Sequence, residues 1–131
     1  MALDTTSAHV RAPHMAGSWY PAGDNECANM VMAFLDKGRP SPVANPKVIV
    51  APHAGFGFSG EIAGTAFRQL AEHRKRIKRV VIIGPAHRVG FKGIATTSAD
   101  AWATPLGTVP VDWDVLRKLM PLEGFRVLDK V

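Results

Sequence analysis

The chain has 131 residues, which is enough for one domain with a sizeable hydrophobic core. Its hydrophobic fraction of 47% excludes an intrinsically disordered protein, and no run approaches the roughly 20 apolar residues of a membrane span. The formal net charge is +5, and the single cysteine, Cys27, excludes an internal disulfide and a zinc site built from several thiolates.

The N-terminal part of the sequence is polar and then rich in turn-forming residues. Residues 1–12 are expected to form a polar tail, and residues 13–131 to belong to a single α/β domain. No apolar segment follows a basic start, so a cytoplasmic location without membrane contact is predicted. After the turn-rich stretch "AGSWYPAG", Asp24 is a candidate N-cap for an amphipathic helix that ends before Gly38. The apolar residues at helical spacing are Ala28, Val31, Met32 and Leu35.

Two short apolar runs flank a second predicted helix. "KVIVAP" (47–52) and "RVVIIGP" (79–85) are rich in β-branched residues and are predicted to be strands buried on both faces. Between them, a helix over 60–74 with Ser59 as its N-cap is predicted. Its expected inner residues are Ile62, Ala66 and Leu70. Strand, helix and strand in this order predict a βαβ unit with parallel strands and a right-handed crossover.

A basic run, "HRKRIKR" (73–79), follows the second helix and carries part of the excess positive charge. Such a run is compatible with nucleic-acid binding, but cations also interact favourably with the carboxyl end of a helix. We favour the second interpretation and predict no nucleic-acid partner.

The last third of the chain alternates strand and helix signals. "GIATT" is predicted to be a strand, "TPLGTVPVD" a turn with an extended segment, and Asp112 the cap of a helix over 113–120. "FRVLDKV" begins a further apolar run. The predicted fold class is α/β, with a mostly parallel sheet and flanking helices.

Two histidines stand directly after the predicted buried strands. His53 follows the first strand and His87 the second. Ligand sites in α/β sheets form beyond the carboxyl ends of strands, so the two imidazoles could share a pocket as metal ligands or as general acids and bases. Hydrogen-bonded structural histidines are the alternative for each. Two histidines do not complete a metal site, and no third ligand is evident in this chain.

Four motifs in order resemble those of the Memo family, whose bacterial members are described as protein B of the AmmeMemoRadiSam system. They are "AGSWYP" (16–21), "APHAGFGFSG" (51–60), "GPAH" (84–87) and "TPLGTVPVD" (104–112). The resemblance implies a fold related to the class III non-haem iron extradiol dioxygenases. It covers the N-terminal half of the family's sequence, so the chain is expected to be truncated.

The resemblance also implies a set of site residues. His53 and His87 match metal-pocket residues, with iron or copper as the expected metal, and Trp19, Phe56 and Phe58 match residues that line the pocket. The family's third ligand is a cysteine from the other half of its sequence, outside this chain.

Several functions remain open at this point. The first is a protein with a metal-binding pocket and a redox or oxygen-linked role, acting together with a radical-SAM partner protein. The enzymatic alternative to it is an active dioxygenase. The others are a metal-free module that binds a peptide or small molecule, and an inactive fragment. The sequence does not decide whether the chain is an enzyme. Half of a parallel sheet would expose a strand edge, so self-association is also expected.

Overall fold

The computed structural model describes residues 8–39 and 45–129 of the chain. They fall into two compact units. Of the described residues, the first unit comprises 8–12, 79–103 and 108–129, and the second comprises 13–39, 45–78 and 104–107. The elements, in chain order, are β1 (Val10–Arg11), α1 (Asp24–Lys37), α2 (Phe56–Arg68), a 3-10 helix (Ala71–His73), β2 (Ile94–Thr96), β3 (Ala101–Thr104), β4 (Gly107–Pro110), α3 (Trp113–Leu119) and β5 (Phe125–Val127).

The second unit is built on the packing of α1 against α2. The predicted first helix is confirmed, although Gly23 rather than Asp24 is its N-cap. Gly60 and Gly64 of α2 lie against Phe34 of α1, where a Cβ atom would meet the phenylalanine. Two glycines one turn apart therefore let the helix backbones approach closely. Cys27 is buried on α1, as expected for a small packed residue.

The second helix begins earlier than the sequence predicts. It starts at Phe56 with Gly55 as its N-cap and ends at Arg68. Ser59 therefore lies inside the first turn, and its hydroxyl donates a hydrogen bond to the carbonyl oxygen of Ala54 at 3.0 Å. The prediction of Ser59 as N-cap was wrong because glycine, with no side-chain cap, begins the helix one turn earlier. Ile62, an expected inner residue, is exposed.

The prediction of two buried strands, at residues 47–52 and 79–85, was wrong. Residues 47–52 and 79–85 have no regular secondary structure. Their valines and isoleucines are exposed, except for the half-buried Ile49, and within the described residues no backbone hydrogen bond joins either segment to another. A β-branched apolar run becomes a strand only when a neighbouring strand pairs with it, and no strand within residues 8–39 and 45–129 pairs with either run. The predicted βαβ unit is therefore not formed.

The first unit contains a three-stranded sheet in the order β1, β3, β4. Strand β1 runs parallel to β3, with Val10 opposite Ala101. This pairing contradicts the predicted tail at residues 10 and 11, whereas residues 1–7 lie outside the described part of the chain. Two hydrogen bonds between His9 and Asp100, both of 2.8 Å, support this pairing. The His9 amide donates to the Asp100 carboxylate, and the Asp100 amide donates to the His9 carbonyl oxygen.

The remaining elements of the first unit match the sequence patterns. Strands β2 and β5 pair in parallel, with Ile94 opposite Phe125. Helix α3 begins after Asp112, whose carboxylate accepts a hydrogen bond from the Val115 amide at 3.1 Å. The α/β class with partly parallel sheets is thus confirmed. No helix within residues 8–39 and 45–129 has the length and apolar character needed to cross a bilayer.

Candidate functional site

The second unit contains a cavity of about 410 Å³ at the amino end of α2. Its wall is mostly apolar and combines the two motifs "AGSWYP" and "APHAGFGFSG" with the inner face of the helix. The lining side chains on which the site depends are Met15, Trp19, Tyr20, His53, Phe56 and Phe67. The cavity therefore brings together one imidazole, several aromatic rings and the backbone of a glycine-rich loop.

The first motif reaches the cavity through a compact turn. The Gly17 amide donates to the carbonyl oxygen of Tyr20 at 2.7 Å, and the Trp19 amide donates to that of Met15 at 2.9 Å. Gly17 has φ of +83°, a conformation that favours glycine over other residues. The turn leaves the Trp19 side chain half-exposed at the cavity.

Phe56 joins the second motif to the first. Its amide donates a hydrogen bond to the Trp19 carbonyl oxygen at 2.8 Å. Its ring lies 5.7 Å from the Tyr20 ring and 5.7 Å from the Phe34 ring, measured between ring centroids, and the second contact is edge-to-face. Gly55 permits this approach, because a Cβ there would lie only 3.2 Å from the Trp19 carbonyl oxygen.

Three of the five predicted site residues meet at this cavity. Trp19, His53 and Phe56 belong to its lining. Phe58 lies on α2 outside the lining, and 93% of its surface is exposed. His87 is an exposed residue of the first unit and does not belong to the lining.

The metal-ligating side chains that line the cavity are too few to bind a transition metal by themselves. The lining has one histidine and no cysteine, aspartate or glutamate. Within the described residues, no three or more side chains of these types cluster so that they could hold a metal ion. Catalytic metal sites usually have three protein ligands, so His53 would need two further ligands from outside this cavity.

Met15, Tyr20 and Phe67 line the cavity and were not predicted from the sequence. Tyr20 is in the same motif as Trp19, so its proximity could have been inferred. Phe67 follows Phe56, Gly60 and Ala63 at helical spacing on one face of α2. That spacing was hidden because the helix was predicted to begin after Phe56.

Two carboxylates of the first unit have lowered pKa values. The pKa of Asp129 is lowered mainly by the Ser98 amide, which donates to it at 2.7 Å, and also by the hydroxyls of Ser98 and Thr97. The pKa of Asp112 is lowered mainly by its hydrogen bond from Arg79, and also by the Val115 amide. Both aspartates stabilise loop and helix ends in their charged forms.

Comparison with known proteins identifies the family. The family model described as "Memo-like protein" matches residues 11–131. The chain is 32% identical over 130 residues to Protein memo-1 homolog of Caenorhabditis elegans, an alignment that covers 99% of this chain and 36% of that protein. It is 37% identical over 111 residues to a MEMO1 family protein of Aquifex aeolicus, which covers 85% of this chain and 40% of that protein.

A MEMO1 family protein of Methanopyrus kandleri is 38% identical over 111 residues, covering 78% of this chain and 38% of that protein. The chain thus spans 36–40% of the length of these three curated relatives. The family model and the relatives agree over most of the chain, and the chain therefore belongs to the Memo-like protein family.

Proposed function

We propose that the cavity bordered by Trp19, His53 and Phe56 binds a small organic molecule, or a peptide side chain, with an aromatic ring and a hydrogen-bonding group. The observation that carries this proposal is that His53, an exposed residue, lines a cavity of about 410 Å³ together with the aromatic residues Trp19 and Phe56. That volume lies within the range of roughly 300–1,000 Å³ typical of ligand pockets, which are mostly apolar with few polar groups.

The lining suggests how such a ligand would be held. The rings of Trp19 and Phe56 offer apolar faces against which a ligand ring can stack, a contact worth about 0.5–1.5 kcal/mol beyond simple burial. His53 can donate or accept a hydrogen bond through its ring nitrogens and so fix the ligand's orientation.

Isothermal titration calorimetry with phenylacetate as the probe, on metal-free protein, tests this proposal. Phenylacetate has a ring for the aromatic wall and a carboxylate for His53. We expect saturable binding to the wild type and at least fivefold weaker binding to His53→Ala. His73→Ala is the matched control, because His73 lies in the same unit outside the lining, and it should bind like the wild type. Equal binding by all three proteins would oppose the proposal.

A second proposal retains the metal and rests on the matched motifs around the two histidines. In it, His53 and His87 each supply one imidazole to iron or copper, and a third ligand comes from outside this chain. A redox or oxygen-linked role beside a radical-SAM partner protein belongs to this proposal. The bound metal would supply Lewis-acid or redox chemistry.

Metal content measured after anaerobic loading with Fe(II) or Cu(I) tests the second proposal. Bound metal near one equivalent that falls in both His53→Ala and His87→Ala would support it, with His73→Ala again as the control. Metal binding that is absent, or unchanged in both variants, would contradict it. The phenylacetate measurement uses metal-free protein, so the two proposals can fail independently.

A further inference from the structure

The second unit contains another cavity, of about 300 Å³, at the carboxyl end of α2. It shares no lining residue with the cavity around His53. Its wall combines three cationic side chains with one carboxylate and one methyl group: Arg68, Arg74, Lys75, Glu72 and Ala71. The basic run "HRKRIKR" (73–79) therefore contributes two of its cations to a concave surface.

A series of turns brings these side chains to one cavity. Helix α2 ends at Arg68, and the 3-10 helix Ala71–His73 follows it. The His73 amide donates a hydrogen bond to the Leu70 carbonyl oxygen at 2.9 Å, and the Arg76 amide donates to the His73 carbonyl oxygen at 2.8 Å. These main-chain bonds hold the segment in consecutive turns, so cations that are separated along the sequence line the same cavity.

Other cations of the basic run have protein partners. Arg76 donates a hydrogen bond to the side-chain oxygen of Asn45 at 2.9 Å, and Arg79 forms an ion pair with Asp112. Within residues 8–39 and 45–129, by contrast, the ion pairs include none of the three cations that line the cavity. No carboxylate in the described part of the chain therefore neutralises these cations by direct contact.

The cavity has a net positive charge that a bound anion would balance. Three cations and one carboxylate in the lining give 3 − 1 = +2. The carboxyl end of a helix carries a partial negative charge of about half an elementary charge, which offsets only part of this excess. Like charges around a cavity repel one another, and an anion that enters the cavity relieves that repulsion.

The size and the lining of the cavity indicate the class of anion. Its volume of about 300 Å³ is at the lower limit of the range of roughly 300–1,000 Å³ typical of ligand pockets, which favours a compact ligand. The guanidinium groups of Arg68 and Arg74 can each donate two hydrogen bonds to phosphate oxygens, and Lys75 adds a point charge. None of the described residues in the lining is aromatic, so a nucleobase would have no ring to stack on.

We infer that this cavity binds a small molecule with two linked phosphate groups, of which inorganic diphosphate is the simplest. Arg68, Arg74 and Lys75 bind the phosphate oxygens. Glu72 opposes the anion through its like charge and so lowers the affinity. This site is additional to the proposed ligand cavity, and each can exist without the other because they share no lining residue.

Isothermal titration calorimetry with sodium diphosphate, in a phosphate-free buffer of low ionic strength, tests this inference. We expect saturable binding to the wild type. The double variant Arg74→Gln/Lys75→Gln should bind about tenfold more weakly or worse, because it loses two charge-assisted contacts. The matched control is Arg117→Gln/Lys118→Gln, which removes the same charge from α3 of the first unit and should bind like the wild type.

Glu72→Gln provides a test in the opposite direction. It removes the only carboxylate of the lining, so diphosphate should bind about twofold more tightly or better. The variants change exposed side chains, and far-UV circular dichroism checks that they retain the wild-type fold.

Three results would overturn the inference. They are the absence of diphosphate binding to the wild type, an equal loss in the two double variants, and weaker binding by Glu72→Gln. An equal loss would show that only the overall charge attracts the anion. A short single-stranded RNA is the competing probe, and RNA that binds more tightly than diphosphate and depends on Arg74 and Lys75 would assign the site to nucleic acid instead.

Discussion

The backbone amide of Phe56 donates a hydrogen bond of 2.8 Å to the carbonyl oxygen of Trp19. This bond joins the first turn of α2 to the turn that contains Trp19, and both residues line the cavity. The geometry of the cavity therefore depends on a main-chain contact between two sequence motifs. It is a contact that side-chain substitutions at either residue leave intact.

Gly55→Ala should weaken that contact. The new Cβ would lie 3.2 Å from the Trp19 carbonyl oxygen, so the two segments must move apart by a few tenths of an ångström. Since a hydrogen bond contributes about 0.5–1.5 kcal/mol, the Phe56 amide should exchange its hydrogen roughly two- to tenfold faster. Gly57→Ala is the control, because no atom lies within 4 Å of a Cβ at Gly57. Equal exchange in both variants would argue against the contact.

Gly64→Ala should destabilise the packing of α1 against α2. A Cβ at Gly64 would lie 2.5 Å from the backbone oxygen of Phe34, and a helix backbone cannot rotate away as a side chain can. Overpacking of this kind typically costs about 1–3 kcal/mol in the free energy of unfolding. Urea denaturation measures the loss. Gly60→Ala, which meets the Phe34 ring instead, should lose less, and a larger loss for Gly60→Ala would contradict this explanation.

Phe56→Ala and Phe58→Ala form a matched pair on one helix turn. The Phe56 ring contacts Phe34 and Tyr20, whereas Phe58 is 93% exposed. We expect Phe56→Ala to lower the unfolding free energy by about 2 kcal/mol, less than a fully buried phenylalanine would. Phe58→Ala should change it by no more than about 0.5 kcal/mol. Phenylacetate binding should likewise fall only in Phe56→Ala, and a loss of binding in Phe58→Ala would place that residue in the site.

Asp129 should make stability depend on pH in the acid range. Its pKa is lower in the folded protein than the ordinary value of 3.8, so the unfolded chain takes up the proton first as the pH falls. Its contribution is therefore complete above the unfolded pKa and is lost as the pH falls through the folded value. Asp129→Asn should be less stable than the wild type at pH 7, and the difference should shrink below about pH 4. Denaturation midpoints from pH 2.5 to 7 measure it, and a difference that stays constant would refute this role.

Local sequence signals predicted much of the fold. The apolar spacing and Gly38 located α1, and Asp112 located the start of α3, because a helix and its cap are determined by nearby residues. The pattern "GIATT" likewise identified β2, whereas "FRVLDKV" was recognised only as an apolar run and contains β5. Residues 47–52 and 79–85 carry equally strong strand patterns. Strands also require a partner in space, and no local pattern can show whether one is present.

The residues of the candidate site were also predicted only in part. Trp19, His53 and Phe56 were assigned through motifs, and all three line the cavity. Phe58 was assigned to the same pocket, but helix geometry turns it away from Phe56, since positions two apart on a helix face different directions. The roles of His53 and His87 as metal ligands stay a prediction, as does the cytoplasmic location.

The most direct test of the ligand cavity is a ¹H–¹⁵N NMR titration of metal-free protein with phenylacetate, followed at the three tryptophan indole N–H signals. Trp19 lines the cavity, whereas Trp102 and Trp113 belong to the first unit. We predict that the Trp19 signal shifts saturably in the wild type and that His53→Ala needs at least fivefold more phenylacetate for the same shift, while the other two signals stay in place. A Trp19 signal that does not move in the wild type, or that reaches half of its shift at the same phenylacetate concentration in both proteins, would contradict the assignment of this cavity as a binding site.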